Sequence, residues 1–246
     1  MSNEAVADYA AQTSFRRQVK SGKGVWIAAL IIGLWALVMS YAVGFYRLDF
    51  YSPMTYVLFL LLTHLYTGLF ITAHDAMHGV VSTNKKLNEW IGRICCILFS
   101  FNFYDNLNRK HHLHHRFVGT DKDPDYHGGN FFVWYFHFAK QYVNIWQILL
   151  MAVTYNLLKL VLPMENLIVF WMLPAVLSTL QLFYFGTYVP HMGEHAPENI
   201  HKSRSQRLNH WWAFLSCYFF GYHYEHHNRP GTPWWLLHKE KELSQR

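Results

Sequence analysis

Three short histidine groups are the residues of this sequence with the clearest chemical capacity. They read HDAMH (residues 74–78), HHLHH (111–115) and HYEHH (223–227). Residues three or four positions apart share one face of an α-helix, so each group would present a row of imidazoles to one side. Neutral imidazole is the commonest metal-binding side chain in proteins. The spacing therefore predicts a metal site that draws on all three groups.

Helical spacing also selects the members of each group. The third group has the spacing His-x-x-His-His. The same spacing in the second group favours His111 over His112, because His112 points roughly 100° away from the face that the other histidines share. The resulting set exceeds what one four-coordinate zinc ion would use, so two metal ions are the economical prediction. Imidazole suits zinc, copper, iron and nickel, and the ligand type alone leaves the metal open. The set comprises His74, His78, His111, His114, His115, His223, His226 and His227.

Four acidic residues near these groups are candidates for holding the outer ring nitrogens of the ligands. They are Asp75, Asp105, Glu194 and Glu225. For each of them, an ordinary role as a polar residue on the cytoplasmic side is an equally open alternative.

Long apolar runs surround the histidine groups. Residues 25–46, 53–73 and 166–189 contain no Asp, Glu, Lys or Arg, and each run reaches the ~20 residues of a membrane-spanning helix. A fourth run, 145–162, contains only Lys159, close to its end. Charged residues make up only 15% of the chain, against roughly 25% in soluble domains. The sequence predicts an all-α integral membrane protein with four transmembrane helices.

The basic residues predict the orientation of these helices. The loop after the first run holds only Arg47, and residues 163–165 include no Lys or Arg, whereas most other basic residues lie before residue 25, in 79–144 or after 190. By the positive-inside rule, both termini and the histidine groups are expected on the cytoplasmic side, carried there by further helices. In a bacterium this membrane would be the inner membrane. The net charge of +6 is thus a topology signal, and no nucleic-acid partner is predicted.

The chain shows no repeat or linker that would divide it. We expect residues 1–24 to form a flexible cytoplasmic arm and residues 25–246 to form a single membrane domain. The first apolar run is too long for a cleaved signal peptide. Cys95, Cys96 and Cys217 form no disulfide framework and are expected to be packing residues.

The histidine groups beside four apolar runs resemble the membrane fatty-acid desaturase and hydroxylase superfamily. In detail, HDAMHG (74–79), HHLHHRFVGTDKDPDYH (111–127), FGTYVPH (185–191) and FGYHYEHHNRPGTPWWLL (220–237) are similar to stretches of the bacterial-type β-carotene ketolases. The resemblance implies a di-iron centre that uses O2, with the eight histidines as iron ligands. It covers nearly all of the chain after the N-terminal arm.

The same resemblance implies one further ligand. His191 ends the matched FGTYVPH stretch and is the implied addition, with a structural role at the end of the fourth helix as the alternative. The following sequence, MGEHAPENIHKSRS, departs from the family pattern. The roles of His195 and His201 therefore stay open.

The implied reaction is ketolation of a carotenoid ring. Two successive hydroxylations of the allylic C4 methylene of a β-carotene-type ring, followed by loss of water, would give canthaxanthin- or astaxanthin-type products, and no catalytic residue beyond the metal centre is predicted. A carotenoid lying across the ~30 Å hydrocarbon core would bring an end ring to the cytoplasmic boundary. Several aromatic residues are candidates for lining its path, although an interfacial belt is the commoner role. They are Trp134, Tyr135, Phe136, Trp234 and Trp235.

Electrons for this reaction are expected from outside the chain, since the sequence contains no GxGxxG fingerprint and no P-loop. We expect an acidic, ferredoxin-like donor to dock on a basic cytoplasmic face around Arg109, Lys110 and Arg116.

Other classes of function stay open at this point. An acyl-lipid desaturase or a carotenoid hydroxylase would use the same di-iron site on a different substrate or stop after the first hydroxylation. A membrane zinc hydrolase would bind one zinc ion per chain and work without O2. A haem-carrying membrane protein would use axial histidines and leave most of the grouped histidines without a role.

Overall fold

The computed structural model describes residues 22–245, and within them the regular elements are all helices, which confirms the predicted all-α fold. The expected N-terminal arm lies, up to residue 21, outside the described residues, and the first helix begins at Lys23. The helices are α1 (Lys23–Gly44), α2 (Pro53–Met77), α3 (Lys85–Leu98), α4 (Tyr104–Phe117), α5 (Phe131–Tyr142), α6 (Ile145–Leu158), α7 (Met164–His191), α8 (His210–Cys217), α9 (His223–Asn228) and α10 (Leu237–Leu243), with a short 3₁₀ turn at Trp234–Leu236.

Three of these helices are long and apolar enough to cross a membrane. They are α1, α2 and α7, with 22, 25 and 28 residues. The fourth predicted run forms α6, which is apolar but has only 14 residues. At 1.5 Å per residue it is about 21 Å long, shorter than the ~30 Å hydrocarbon core. Pro163 disfavours helical geometry at Leu162 and so keeps α6 from continuing into α7.

The central helix of the fold is α2, which packs against α1, α3 and α7. Between α2 and α7, the hydroxyl groups of Thr67 and Ser178 lie 2.8 Å apart in a buried contact. At Gly68 the chain of α2 has no room for a side chain, because a Cβ atom there would come within 2.6 Å of the Tyr218 hydroxyl. This close packing fixes the end of α2, where the first histidine group lies.

The start of α7 lies beside the C-terminal end of α1. Asn166, near the first residue of α7, donates hydrogen bonds to the backbone oxygens of Ala42 (2.8 Å) and Tyr46 (2.7 Å). α7 therefore runs from the end of α1 back to the end of α2, where His191 meets the other histidines.

Two π-helical segments widen α7, at Leu167–Met172 and Tyr184–Tyr188. A proline follows each of them at the second position of the next α-helical segment, Pro174 and Pro190. Proline lacks the N–H that would bond to the carbonyl four residues earlier, so the preceding turn loosens. The second of these segments directly precedes His191.

The three cysteines are buried free thiols, as expected of packing residues.

Candidate metal centre

The structure brings the nine histidines of the predicted site together. Five of them form one group, called here the five-histidine group: His74, His78, His111, His115 and His226. The other four form the four-histidine group: His114, His191, His223 and His227. Within each group, one nitrogen of every ring lies within 4.8 Å of those of all the others. The two groups adjoin, since the rings of His115 and His227 stack with centroids 4.3 Å apart.

The helices supply these side chains in a simple way. The last turn of α2 carries the first histidine group, α4 carries the second and α9 the third, while the end of α7 adds His191. Because α4 is a regular helix, consecutive turns place His111, His114 and His115 toward the centre. His112 points outward and is exposed, and its Nδ1 bonds to the Asn108 carbonyl at 2.8 Å.

The ring nitrogens of the five-histidine group are spaced like the ligands of an ion. Successive Nε2 atoms lie 2.7 Å apart from His78 to His111, 3.1 Å to His115, 2.9 Å to His226 and 3.2 Å to His74. A ring nitrogen offers only one hydrogen or one lone pair in the ring plane, so hydrogen bonds alone satisfy such a chain poorly. Metal–imidazole bonds of about 2.1 Å at right angles would set the ligand atoms about 3 Å apart. The donor set fits a metal ion.

The four-histidine group has the same character. Nε2 of His227 lies 3.1 Å from that of His114 and 3.0 Å from that of His223. The ring of His191 packs edge-on against the rings of His114 and His223, with centroids 4.9 Å away in both cases. Its Nε2 is buried and has no hydrogen-bond partner. An unpartnered buried nitrogen facing three other imidazoles is what a metal ligand requires.

Two outer hydrogen bonds fix which ring nitrogen faces inward. His191 donates from Nδ1 to the Lys202 carbonyl at 2.8 Å, and His114 donates from Nδ1 to Asp123 at 2.9 Å. Asp123 is itself held by the backbone N–H groups of Gly119 and Asp125, each at 2.9 Å. With Nδ1 carrying the hydrogen, Nε2 keeps its lone pair for the metal, as in carboxylate–histidine–metal triads.

The predicted carboxylates are placed differently. Asp75 lies 3.5 Å from Nδ1 of His74, beyond hydrogen-bond distance, and accepts instead from the backbone N–H of Trp234 at 2.9 Å. Asp105 forms an exposed ion pair with Arg93, and the exposed Glu194 makes no outer contact to a grouped histidine. Glu225 accepts hydrogen bonds from Ser205 and from Lys241 and Ser244 near the C-terminus. Asp123, which does hold a ligand, lies in the DKDPD stretch after the second group, and only that proximity signalled it.

Burial keeps most of the imidazoles neutral. Loss of hydration, reinforced by the neighbouring imidazoles, holds the pKa values of His111, His223, His226 and His227 well below the usual range, and it lowers the pKa of His115 to about 2. Neutral rings are the form that binds metals.

His114 is the exception within the centre. Burial opposes its charge, but the hydrogen bond and charge of Asp123, together with the charge of Asp125, raise its pKa above the usual value. In the protonated ring, a metal ion that binds at Nε2 has to displace the proton on Nε2. Metal binding therefore depends on pH at this residue.

His195 and His201 lie outside both groups and are half-buried. His195 lines a small pocket on the outer side of His191, with Lys202 and Tyr126.

An apolar cavity of about 300 Å³ borders both groups. His74 and His111 of the five-histidine group and His114 and His223 of the four-histidine group form part of its wall. The remaining wall is mainly apolar and comes from α2, α5, α6, α7 and the segment after α3. A mainly apolar cavity bordered by the histidines suits an apolar substrate that reacts where it meets them.

Of the aromatic candidates, Tyr135 lines this cavity. Trp134 is buried and donates from its indole nitrogen to the Asp125 carbonyl at 2.6 Å, while Phe136 is exposed. Trp234 and Trp235 pack in the core away from the cavity. Aromatic content alone did not separate these roles.

The three basic residues predicted to bind the electron donor differ in exposure. Arg109 and Arg116 are exposed on α4. Lys110 is half-buried, with its ammonium group donating to the backbone carbonyl of Gln141 and to the side-chain oxygen of Gln141.

Comparison with known protein families gives the class of this protein. The family model described as "Fatty acid desaturase" matches residues 51–163 and 130–246. The chain belongs to this family, as its histidine groups predict. Members of the family are di-iron oxygenases, and the candidate spans agree with a membrane protein.

Within the family, the chain is similar to β-carotene ketolases. A β-carotene ketolase of Paracoccus sp. (strain N81106 / MBIC 01143) is 38% identical over 84% of this chain and 87% of its own length. A β-carotene ketolase of Haematococcus lacustris is 34% identical over 95% of this chain and 83% of its own length. A zeaxanthin 4-ketolase of Chlamydomonas reinhardtii is 37% identical over 90% of this chain, which spans only 54% of that protein. No solved structure matches the chain.

Proposed function

We propose that this chain is an O2-dependent carotenoid ketolase with a di-iron centre. The observation that carries the proposal is the position of the two histidine groups in the wall of one apolar cavity. The ketolase relatives, which align over most of the chain, support a carotenoid ring as the substrate in preference to a fatty acyl chain.

The nine histidines would hold two iron ions, one in the five-histidine group and one in the four-histidine group. Bound iron would supply the activation of O2. Each hydroxylation takes one O2, two electrons and two protons and leaves a ring hydroxyl and one water molecule. After the second hydroxylation at the same carbon, the geminal diol loses water to give the ketone. The chain itself has to hold the ring, orient it and keep bulk water out.

The cavity volume is consistent with binding one end of the substrate. About 300 Å³ lies at the lower limit of ligand pockets and is too small to enclose an entire carotenoid. One ring with the adjoining part of the polyene chain would enter, and the remainder would stay in the bilayer.

We also propose that the histidine centre and both termini lie on the cytoplasmic side, with four crossings of the membrane. The ends of α2 and α7 meet at the centre, and the start of α7 lies at the end of α1. The chain must therefore return to that far side before α7, and α6 with the turn at residues 159–163 makes this return. The shortness of α6 would be accommodated by local thinning of the bilayer.

Electrons would reach the centre from an external, ferredoxin-like donor. The exposed Arg109 and Arg116 lie on the same helix as His111, His114 and His115, so an acidic protein bound there would approach the metals closely.

The function is tested by the pigments of aerobic cells that accumulate β-carotene, with and without this chain. We expect red-shifted, more polar pigments that carry a carbonyl group by mass. Hydroxylated pigments alone would favour a carotenoid hydroxylase. Unchanged pigment, with the chain verified in the membrane and a donor supplied, would favour an acyl-lipid desaturase, which analysis of the cellular fatty acids would detect.

Substitutions of two adjacent histidines, one inside the histidine centre and one outside it, test the site. His111→Ala removes a member of the five-histidine group and is expected to reduce iron toward half of the wild-type content and to abolish ketone formation. His112→Ala removes an exposed ring one position along the same helix and should leave both properties near wild type. His114→Ala and His226→Ala should behave like His111→Ala while the chain stays in the membrane. Full turnover in any of these three would contradict the assignment.

A further inference from the structure

One hydroxyl group in the cavity wall next to the histidines has no hydrogen-bond partner among residues 22–245. Thr187 lines the cavity together with His114 and His223, and only 5% of its surface is exposed. Its hydroxyl group makes no hydrogen bond to any other residue of the described part of the chain. A hydroxyl group in an apolar environment is unfavourable unless it is hydrogen-bonded. The side chain is therefore poised to bind a polar group of a ligand.

The other aliphatic hydroxyl and amide side chains of the wall are engaged within the protein or, like Ser100 and Gln147, belong to the region of the turn before α4. Thr179 donates to the Ala175 carbonyl at 3.0 Å, and the Tyr142 hydroxyl donates to Asp125. Gln147 has an unpartnered side-chain oxygen, but its amide group is bonded to the Ser100 carbonyl, in the turn before α4. From the first residue of α4 to His111 the helix rises about 10 Å, so Gln147 lies far from the end of the cavity where the histidines converge.

The backbone holds Thr187 in fixed register with both histidine groups. The preceding residue, Gly186, contacts the ring of Phe220 so closely that a Cβ atom would not fit between them. The ring of Phe220 in turn packs against His74 (centroids 4.9 Å apart) and His223 (5.0 Å). One turn further along α7 the helix ends in His191. Thr187 thus lines the cavity at its histidine end, on the π-helical segment Tyr184–Tyr188.

We infer that Thr187 binds the hydroxyl group which the first hydroxylation leaves on the ring, and so commits the alcohol to a second oxidation at the same carbon. The inference rests on the proposed function. An unmodified ring carries no polar atom, so Thr187 contributes nothing specific to its binding. The alcohol both donates and accepts a hydrogen bond, as does threonine. A bond between them offsets the cost of burying the new hydroxyl and fixes the rotation of the ring about its long axis.

The test compares two substrates in membranes that contain the full-length chain and a reducing system. One substrate is a carotenoid with unmodified β-rings, and the other is its 4-hydroxy derivative. Thr187→Val removes the hydroxyl at nearly constant volume, and we expect it to lower the ratio of kcat/KM for the alcohol to kcat/KM for the unmodified ring five- to tenfold, as loss of one buried hydrogen bond predicts. The 4-hydroxy product should accumulate during turnover of the unmodified ring.

Two further variants separate this effect from general damage to the cavity. Thr187→Ser keeps the hydroxyl and should keep the ratio within twofold of wild type. Thr179→Val removes a hydroxyl from the same wall, but one that is already bonded within its own helix, and it should change both substrates alike. An unchanged ratio in Thr187→Val would overturn the inference. If the variant instead lost activity only toward rings that carry a hydroxyl group at C3, Thr187 would bind a different hydroxyl and the inference would also be wrong.

The wild-type chain provides a test that does not depend on folding of the variants. It should convert the 4-hydroxy ring with kcat/KM no lower than that for the unmodified ring, although an apolar cavity disfavours a hydroxyl. A tenfold lower value would refute the role of Thr187. Absence of any ketone from the wild-type chain would instead refute the proposed function.

Discussion

Two of the nine imidazoles are fixed in orientation by hydrogen bonds that do not involve the other rings. His114 donates to a carboxylate that is itself held by two backbone N–H groups, and His191 donates to the backbone at Lys202. By contrast, Nδ1 of His223 and Nδ1 of His227 are buried without hydrogen-bond partners. Two rings of the four-histidine group are therefore held in the ligand orientation by the protein, and the other two depend on their neighbours.

This difference makes Asp123 a sensitive position. Asp123→Asn weakens the bond to His114 and removes the charge that orients it, so we expect metal affinity to fall about 10- to 100-fold. Iron content per chain after purification in a weak chelator measures the loss. Asp121→Asn is the matched control, because Asp121 lies in the same loop and is exposed. Equal iron in both variants would show that the Asp123 contact has no part in metal binding.

At the residue level, the sequence predicted what depends on helical periodicity. His111 and His112 are adjacent in the chain, and only the phase of α4 separates a grouped ring from an exposed one. Asp123 was missed because its position depends on how the loop after α4 folds back. That fold-back is set by long-range contacts such as the hydrogen bond from the Trp134 indole to the Asp125 carbonyl, which leave no periodic signal.

Among the elements, the short helix α9 depends on the tail that follows it. α9 has six residues and three ligands, too few turns to be stable in isolation. Glu225, buried between these ligands, accepts hydrogen bonds from Lys241 (3.2 Å), Ser205 (2.5 Å) and Ser244 (3.0 Å). α10 thus positions the third histidine group through one buried carboxylate.

Removing the cation from this contact leaves the carboxylate buried without a countercharge. Lys241→Ala is expected to destabilise the protein by about 3 kcal/mol, near the lower end of the cost of breaking a buried ion pair, because two serines still bind Glu225. A lower thermal transition of the protein in detergent, together with partial loss of iron, would be the signature. Lys239→Ala, on the exposed side of the same helix, should match wild type. A Lys241→Ala protein as stable as Lys239→Ala would mean that α10 does not support α9.

The sequence predicted the long elements better than their details. Charge-free runs identified α1, α2 and α7, since a bilayer selects length and apolarity. The same criterion overestimated the run 145–162, because apolar composition continues past the residue where α6 ends. The π-helical segments of α7 follow from Pro174 and Pro190, but a proline in a span predicts only a disturbed turn and does not specify which form it takes.

At the scale of the whole molecule, the two ends of the helix bundle carry different chemical groups. One end carries the histidine centre and the exposed arginines of α4, and the other carries the turn between α1 and α2 and the start of α7. The apolar cavity extends from the histidine centre along α2 and α7. Under the proposed function, substrate would arrive from the bilayer and electrons would arrive from the aqueous side. These two routes separate an apolar substrate from a charged protein donor.

If the donor binds at the histidine end of the molecule, turnover should depend on ionic strength through the exposed arginines of α4. Attraction between exposed charges is screened over about 8 Å at physiological salt, so turnover with an acidic ferredoxin should slow as salt increases. Arg109→Glu with Arg116→Glu should raise the KM for the donor at least tenfold at low salt and remove the salt dependence, without changing iron content. Arg47→Glu alters an exposed arginine at the opposite end and serves as the control. If it raised the donor KM as much as the double variant, the donor would approach from the other side, and the proposed orientation of the chain would have to be inverted.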